Sequence, residues 1–314
     1  MKTFRMIGMA LVAVMLSFTM SSCDNDDDEL NPYKDYPQLI VGKWFNFTPD
    51  ASMLLSFQAD ETGANGTYKV IGYESSMGFL EGSGTYSIDG NKLTSILTSP
   101  DGSQSKQVRT FEVTKDKFID NKELISDNTG LAVPGEKVHY RVKEQFDIKG
   151  NYTYLNSAVR VVPAEGKTAL QLPESVLFQG QNYIPVDAMH GDRIIDVMKK
   201  FFADATFAAD GKLNHTMEGE AKVKNYTLNG NNLTFDLYEG SDTYKVNATS
   251  FPDEDGDRLF IIIPKQAAWL GGMVDLVEKE NEGLKLDAAQ IAALEKEFMD
   301  TFETFTVILS LSKK

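Results

Sequence analysis

Apolar and polar residues alternate over much of the chain, and one alternating segment occurs twice. Residues 86–97 read YSIDGNKLTSIL, and residues 226–237 read YTLNGNNLTFDL. Strict alternation is typical of a β-strand with one buried face, and an Asp-Gly or Asn-Gly pair in the middle predicts a tight turn between two strands. The two turn pairs are Asp89-Gly90 and Asn229-Gly230. The sequence therefore predicts an antiparallel β domain that is present twice.

Further segments match in the same order in the two halves. Gly42 and Gly150 each precede an aromatic strand, and Phe57 and Phe207 each precede an Asp by three residues. We place the two β domains at residues 38–144 and 145–314. The connection between them is short, which favours restricted relative motion and a shared interface.

The second copy is longer, and three of its segments show helical spacing of apolar residues. Asp192 is placed to cap the first helix, Pro264 to begin the second, and Asp287 with Gln290 to form a capping box for the third. These segments are 191–203, 265–280 and 287–303. Their amphipathic pattern predicts helices that pack on the domain rather than cross a membrane.

The first residues have the pattern of a secretion signal. Lys2 and Arg5 precede an apolar run over residues 6–20, which is too short to span a bilayer comfortably. Small residues then lead to Cys23, the single cysteine of the chain. This arrangement resembles a bacterial lipobox, which implies that residues 1–22 are a signal peptide and that Cys23 is lipidated.

An acidic segment, DNDDDE, follows Cys23 directly. Such a tract cannot bury apolar surface, so residues 23–37 are predicted to form a solvated tether. The tract also resembles the acidic export tag of surface lipoproteins in Bacteroidetes. That resemblance implies a lipid-anchored outer-membrane protein exposed on the cell surface, with a periplasm-facing anchor as the alternative.

Charge excludes some partners. The chain has 31 basic and 46 acidic residues, a formal net charge of −15, and removal of residues 1–22 takes away two bases and no acid. An acidic chain repels phosphate backbones and anionic lipid head groups. We therefore expect no nucleic-acid partner, and contact with the membrane only through the lipid on Cys23. Without further cysteines, each domain must be stabilised by its apolar core.

The opening of the first copy resembles a known family. Gly42-Lys43-Trp44, together with LLSFQADETGANGTY at residues 54–68, is similar to the lipocalin-like, or calycin, domains of Bacteroidetes lipoproteins. The resemblance implies two lipocalin-like β-barrels that close without exposed strand edges. It also implies structural roles for Gly42, Trp44 and Arg141, with Arg141 stacked on Trp44 as a cation–π pair. In the second copy Tyr152 replaces the Trp.

Patterns for catalysis are not found. His139, His190 and His215 lack metal-ligand spacing and are expected at surface or edge positions. The acidic run 252–257 predicts a charged hairpin turn, with calcium binding as the alternative. Paired carboxylates for glycoside hydrolysis stay open, because their separation depends on the fold. We expect a protein that is not an enzyme and that uses no cofactor or metal.

Aromatic residues are dense in the second copy and suggest a ligand site beneath the helix of residues 191–203. A barrel lined by aromatic rings can hold an apolar or sugar ligand, although most such rings fill the core. The candidate contacts are Phe201, Phe202, Trp269, Tyr183 and Tyr226. The sequence thus favours a non-catalytic surface lipoprotein that binds a small apolar or glycan ligand. The alternatives are a protein-binding or inhibitor lipoprotein and an accessory polysaccharide-binding protein.

Overall fold

The computed structural model describes residues 31–48, 51–74, 78–99, 102–120, 123–128, 135–174, 176–186, 191–217, 219–237, 245–270, 274, 277–278, 281 and 284–314. The predicted signal peptide, Cys23 and most of the predicted tether lie outside these residues. The chain divides into two units, Met1–Lys34 and Asp35–Lys314, and every element below belongs to the second unit.

The first half forms one antiparallel sheet that curls into a nearly closed barrel. A short helix, α1 (Tyr36–Leu39), precedes it. The strands are β1 (Gly42–Phe47), β2 (Ala51–Ala59), β3 (Asn65–Glu74), β4 (Gly78–Asp89), β5 (Lys92–Thr98), β6 (Gln104–Thr110), β7 (Glu112–Val113), β8 (Lys117–Asp120), β9 (Leu124–Asp127) and β10 (Lys137–Arg141). Their order in the sheet is β7-β8-β10-β1-β2-β3-β4-β5-β6-β9.

The second half forms a closed eight-stranded barrel, because β11 pairs with both β14 and β20. Its barrel strands are β11 (Gly150–Pro163), β14 (Ala205–Phe207), β15 (Lys212–Met217), β16 (Glu220–Asn229), β17 (Asn232–Asp236), β18 (Lys245–Pro252), β19 (Arg258–Ile263) and β20 (Phe302–Lys313). The other elements are β12 (Ala169–Gln171), β13 (Tyr183–Pro185), helix α2 (Gly191–Phe201), a 3-10 helix (Ala267–Leu270) and helix α3 (Ala288–Thr301). The prediction of a mainly β fold with two antiparallel barrels, helices in the second, is confirmed.

The repeated hairpin is present in both barrels, although its turn begins one residue later than predicted. In the first copy Asp89 pairs with Lys92, so the loop consists of Gly90 and Asn91. Gly90 has φ 58° and its counterpart Gly230 has φ 59°. A glycine at the first loop position is typical of a type II′ turn, whose twist matches that of the flanking strands.

The predicted helices are found with changed boundaries. Asp287 caps α3 as expected: its side chain accepts from the Gln290 backbone, and the Gln290 side chain accepts from the Asp287 backbone. Asp192 lies inside α2 rather than at its N-cap, because the helix begins at Gly191. Within the predicted helix of residues 265–280, the described residues include the 3-10 helix Ala267–Leu270.

One end of the first barrel is closed by Trp44 and Arg141. Trp44 is fully buried and pairs with Arg141 across neighbouring strands, with the guanidinium carbon 4.2 Å from the indole centroid. Arg141 also donates to Val41 O at 2.9 Å and to Leu39 O at 2.6 Å, and Trp44 Nε1 donates to Ile40 O at 2.6 Å. This is the cation–π contact that the family resemblance implied.

The second barrel repeats this geometry with different residues. Gly42 and Gly150 both have positive φ, 123° and 145°. A Cβ at Gly42 would lie 2.7 Å from Arg141 Nη1, and one at Gly150 would lie 2.7 Å from Lys313 Cε. Lys313 pairs with Tyr152 as Arg141 pairs with Trp44. Glycine is therefore needed at the first residue of β1 and of β11, because the basic side chain from the last strand of each barrel passes over it.

The two barrels pack against each other through outer faces of their strands. Phe45 of β1 packs on both Phe251 of β18 and Phe260 of β19, with ring centroids 5.2 and 4.8 Å away. Leu54, Ile262 and Ile308 complete this buried cluster. Arg160 and Glu81 form an ion pair across the interface at 3.4 Å. The shared interface predicted from the short connection is therefore present.

Candidate functional site

Most of the aromatic residues singled out in the sequence lie in the hydrophobic core of the second barrel. Phe201 and Phe202 are almost fully buried and pack on each other, 4.8 Å between centroids. Trp269 packs on Phe305 in the same hydrophobic core, with ring centroids 5.7 Å apart. Their mutual packing gives them a role in the core, and a role in ligand binding stays a prediction.

Of the two tyrosines predicted for the same site, only Tyr226 belongs to the hydrophobic core that contains these rings. Tyr226 is buried against Phe207, and its hydroxyl donates to Ala208 O at 2.7 Å. Tyr183 lies in the separate β12–β13 pair and is 36% exposed. The structure therefore places four of the five predicted residues in one hydrophobic core, Phe201, Phe202, Trp269 and Tyr226, and leaves Tyr183 outside it.

Two histidines lie inside the barrels, which corrects the expectation of surface or edge positions. His139 on β10 is 1% exposed and His215 on β15 is 4% exposed. His139 stacks on Phe118, and His215 packs on Phe201 with ring centroids 4.1 Å apart. His190 lies outside the described residues. Both strands alternate, so each imidazole faces the apolar interior of its barrel.

The acidic run 252–257 forms a hairpin turn between β18 and β19, as predicted. Asp253 accepts from the backbone of Arg258 at 3.1 Å and closes the turn. Within the described part of the chain, no group of three or more His, Cys, Asp or Glu side chains is arranged to hold a metal ion. No helix of those residues is long and apolar enough to span a bilayer.

A pocket of about 400 Å³ lies at the rim of the first barrel, where β1 ends and β2 and β10 begin. We call it the rim pocket. Its lining includes Asn46, Met53, Glu74, Lys137, Val138 and Tyr140. These residues come from β10, β1, β2 and β3, four strands that are consecutive in the sheet.

Strand alternation explains the mixed lining of the rim pocket. Asn46 is two residues from the buried Trp44, and Lys137 is two residues from His139, so both belong to the face that lines the barrel interior. Val138 and Tyr140 belong to the opposite face of β10. The lining of the rim pocket therefore includes side chains from both the interior and the outer face of the sheet.

Opposite charges meet at the rim pocket. The Lys137 ammonium lies 3.9 Å from a Glu74 carboxylate oxygen, and the two side chains are 34% and 15% exposed. This distance is too long for a hydrogen bond between the two groups. Asn46 is held more firmly, because its amide donates to Val138 O at 2.6 Å. The pocket thus offers a carboxylate acceptor and an ammonium donor that a ligand can engage.

Deeper in the same barrel lies a polar cluster, which we define as Tyr68, Arg109, Asp120 and His139. Arg109 of β6 and Asp120 of β8 form a buried ion pair at 2.6 Å, which joins the two sides of the incompletely closed sheet. Burial raises the pKa of the Tyr68 hydroxyl, and Arg109 opposes this rise. Removal of either partner of a buried pair leaves an uncompensated charge in the interior. The Arg109–Asp120 pair therefore links β6 and β8 where the sheet does not close by backbone hydrogen bonds.

His139 is the least satisfied member of the polar cluster. Its ring stacks on Phe118, 5.3 Å between centroids, and neither ring nitrogen has a hydrogen-bond partner among the described residues. Burial lowers the pKa of His139 to about 4; nearby Asp120 raises this pKa, while Arg109 and Lys137 lower it. The imidazole is therefore neutral near pH 7 and presents one donor and one acceptor.

No protein-family model and no curated protein matches the chain. Among solved structures, the chain is similar to a protein of unknown function from the DUF3598 family of Nostoc punctiforme, with 6% sequence identity and a TM-score of 0.22. That match covers 92% of this chain and 100% of the other chain. Similarity at this level assigns neither a family nor a function.

Sequence reasoning missed the rim pocket and the polar cluster. One signal was present: in the strand that ends at Arg141, alternation places His139 on the same face as Arg141, which was already expected to face the barrel interior. No comparable signal marked Arg109, Asp120 or Glu74, because their proximity depends on pairing between strands far apart in the chain.

Proposed function

We propose that this protein is a non-catalytic binding protein that holds a small glycan in the rim pocket of its first barrel. The observation that carries the proposal is the pocket itself, about 400 Å³ in volume and lined by both polar and aromatic side chains. Ligand sites in proteins have volumes of this order and combine an apolar lining with a few placed polar groups.

The lining favours a glycan over a purely apolar ligand. Glu74, Lys137 and Asn46 provide charged and amide groups that bind hydroxyls, whereas an apolar ligand would remove water from these groups without replacing its hydrogen bonds. The rings of Phe47 and Tyr140 supply apolar surface for the CH faces of a sugar. This site replaces the second barrel as the place where we expect the ligand.

Binding is tested on an array of neutral and acidic oligosaccharides, followed by calorimetry with the tightest binder. Lys137→Ala and Glu74→Ala should each weaken that binding about tenfold or more, because each removes a hydrogen-bonding group of the pocket. Lys69→Ala, at an exposed position of β3, is the matched control and should bind like the wild type. Equal affinity in all variants would contradict the proposed site, and release of hydrolysis products would contradict a non-catalytic role.

The proposal includes the cellular address. A lipid on Cys23 would anchor the protein in the outer membrane, and the acidic tract after it supports display on the cell surface. Protease treatment of intact cells should then degrade the protein. Full protection in intact cells, with degradation after lysis, would indicate a periplasm-facing anchor instead.

A further inference from the structure

The position of His139 relates the rim pocket to the barrel interior. Along β10, the residues on the interior face are Lys137, His139 and Arg141. Lys137 lines the rim pocket and Arg141 closes the far end on Trp44. His139 therefore lies at intermediate depth, one interior position below the pocket.

The unused hydrogen-bonding capacity of His139 needs a physical explanation. A buried polar atom without a partner destabilises the folded state, and native structures contain few of them. At 1% exposure, solvent outside the barrel does not satisfy the two ring nitrogens, and the described residues provide no partner. A group that enters from the rim pocket would supply the missing hydrogen bonds.

The charges around His139 restrict what that group can be. Asp120, Arg109 and Lys137 all act electrostatically on His139. Arg109 is paired with Asp120 and Lys137 with Glu74, so the charges around His139 compensate each other. A carboxylate, phosphate or ammonium group would bring an additional, uncompensated charge into this buried region, which costs more free energy than burial of a neutral group. A hydroxyl can donate or accept, so a sugar hydroxyl can bond to either the donor or the acceptor nitrogen of a neutral imidazole without adding charge.

We propose that His139 binds a neutral hydroxyl group of the ligand and thereby selects uncharged sugars over acidic ones. This inference rests on the proposed function and deepens it by naming the ligand class. The Lys137 side chain of the Glu74–Lys137 pair is 34% exposed and lies 3.9 Å from the carboxylate, so it can move aside when the sugar enters. His139 would then act as a specificity-determining residue beneath the pocket.

The test compares two substitutions at His139 in the otherwise unchanged chain. His139→Phe keeps a ring to stack on Phe118 but removes both nitrogens, whereas His139→Gln keeps one donor and one acceptor. We expect His139→Phe to bind the tightest neutral oligosaccharide at least tenfold more weakly, and His139→Gln to recover part of the loss. Thermal unfolding of His139→Phe should be unchanged or shifted upward, which separates a binding defect from a folding defect.

The outcomes distinguish this inference from the proposed function. If the rim variants lose sugar binding and His139→Phe does not, the role of His139 is wrong and the rim pocket stands. If the wild type binds acidic sugars more tightly than their neutral counterparts, the selection of uncharged ligands is wrong. If the wild type binds no oligosaccharide on the array, both proposals fail. A change in the ring-nitrogen NMR signals of His139 on addition of the neutral sugar would support direct contact.

Discussion

Phe260→Ala should lower the free energy of unfolding by about 3–5 kcal/mol, the usual cost of truncating a fully buried phenylalanine. Phe260 has no exposed surface and packs on Phe45 of the first barrel and Phe251 of its own. The loss should appear in chemical denaturation as a lower midpoint. Because Phe260 faces the other barrel, its removal should also reduce the cooperativity between the two barrels.

A double-mutant cycle with Phe45→Ala isolates the contribution of the interface. Residues in contact usually show a coupling energy of about 0.5–3 kcal/mol, and the two rings lie 4.8 Å apart. Val223→Ala, at a position that is 60% exposed on β16, is the control and should change stability by less than about 0.5 kcal/mol. Additive effects of Phe45→Ala and Phe260→Ala would contradict packing between the barrels.

Acid should destabilise the protein through His139. In the folded state burial lowers the pKa of His139 to about 4, against 6.5 for a free imidazole. Between these two values the unfolded chain binds more protons than the folded one, so stability falls as the pH falls from about 6.5 to about 4. One pKa unit corresponds to about 1.4 kcal/mol, so the full loss is roughly 3 kcal/mol. Below about pH 4 this contribution changes no further.

The His139→Phe variant isolates this effect from other titrating groups. Carboxylates also titrate in acid, but they are the same in both proteins, so the difference in unfolding free energy reports His139. Wild type should lose roughly 3 kcal/mol relative to the variant across the window. A difference that stays constant between pH 7 and pH 4 would show that the imidazole is not buried in its neutral form.

Much of the fold could be predicted because its signals are local. Alternation located the strands, the glycine of each repeated turn has the positive φ that only glycine adopts readily, and the Asp287–Gln290 pair marked the start of α3. Helix boundaries were less certain, as Asp192 shows, since several polar residues can cap a helix. The closure of the second barrel depends on β11 pairing with two strands, and no local pattern reveals that.

The candidate site could not be predicted in the same way. Helical spacing of Phe201 and Phe202 looks the same whether the helix covers a core or a ligand, and the structure shows dense packing around both rings. Conversely, Asn46, Glu74 and Lys137 lie far apart in the chain and meet only through the register of β1, β3 and β10. Register is fixed by the burial of all strands together, not by any one of them.

The location of the ligand tests the account most directly. Backbone amide NMR signals of the isotope-labelled protein, followed during titration with the tightest oligosaccharide, show which residues the ligand approaches. We expect the largest shifts at Asn46, Lys137 and Tyr140, with smaller ones in the second barrel. Shifts concentrated at Phe201, Phe202 and Trp269 would contradict ligand binding in the rim pocket and would support the site that the sequence alone predicted.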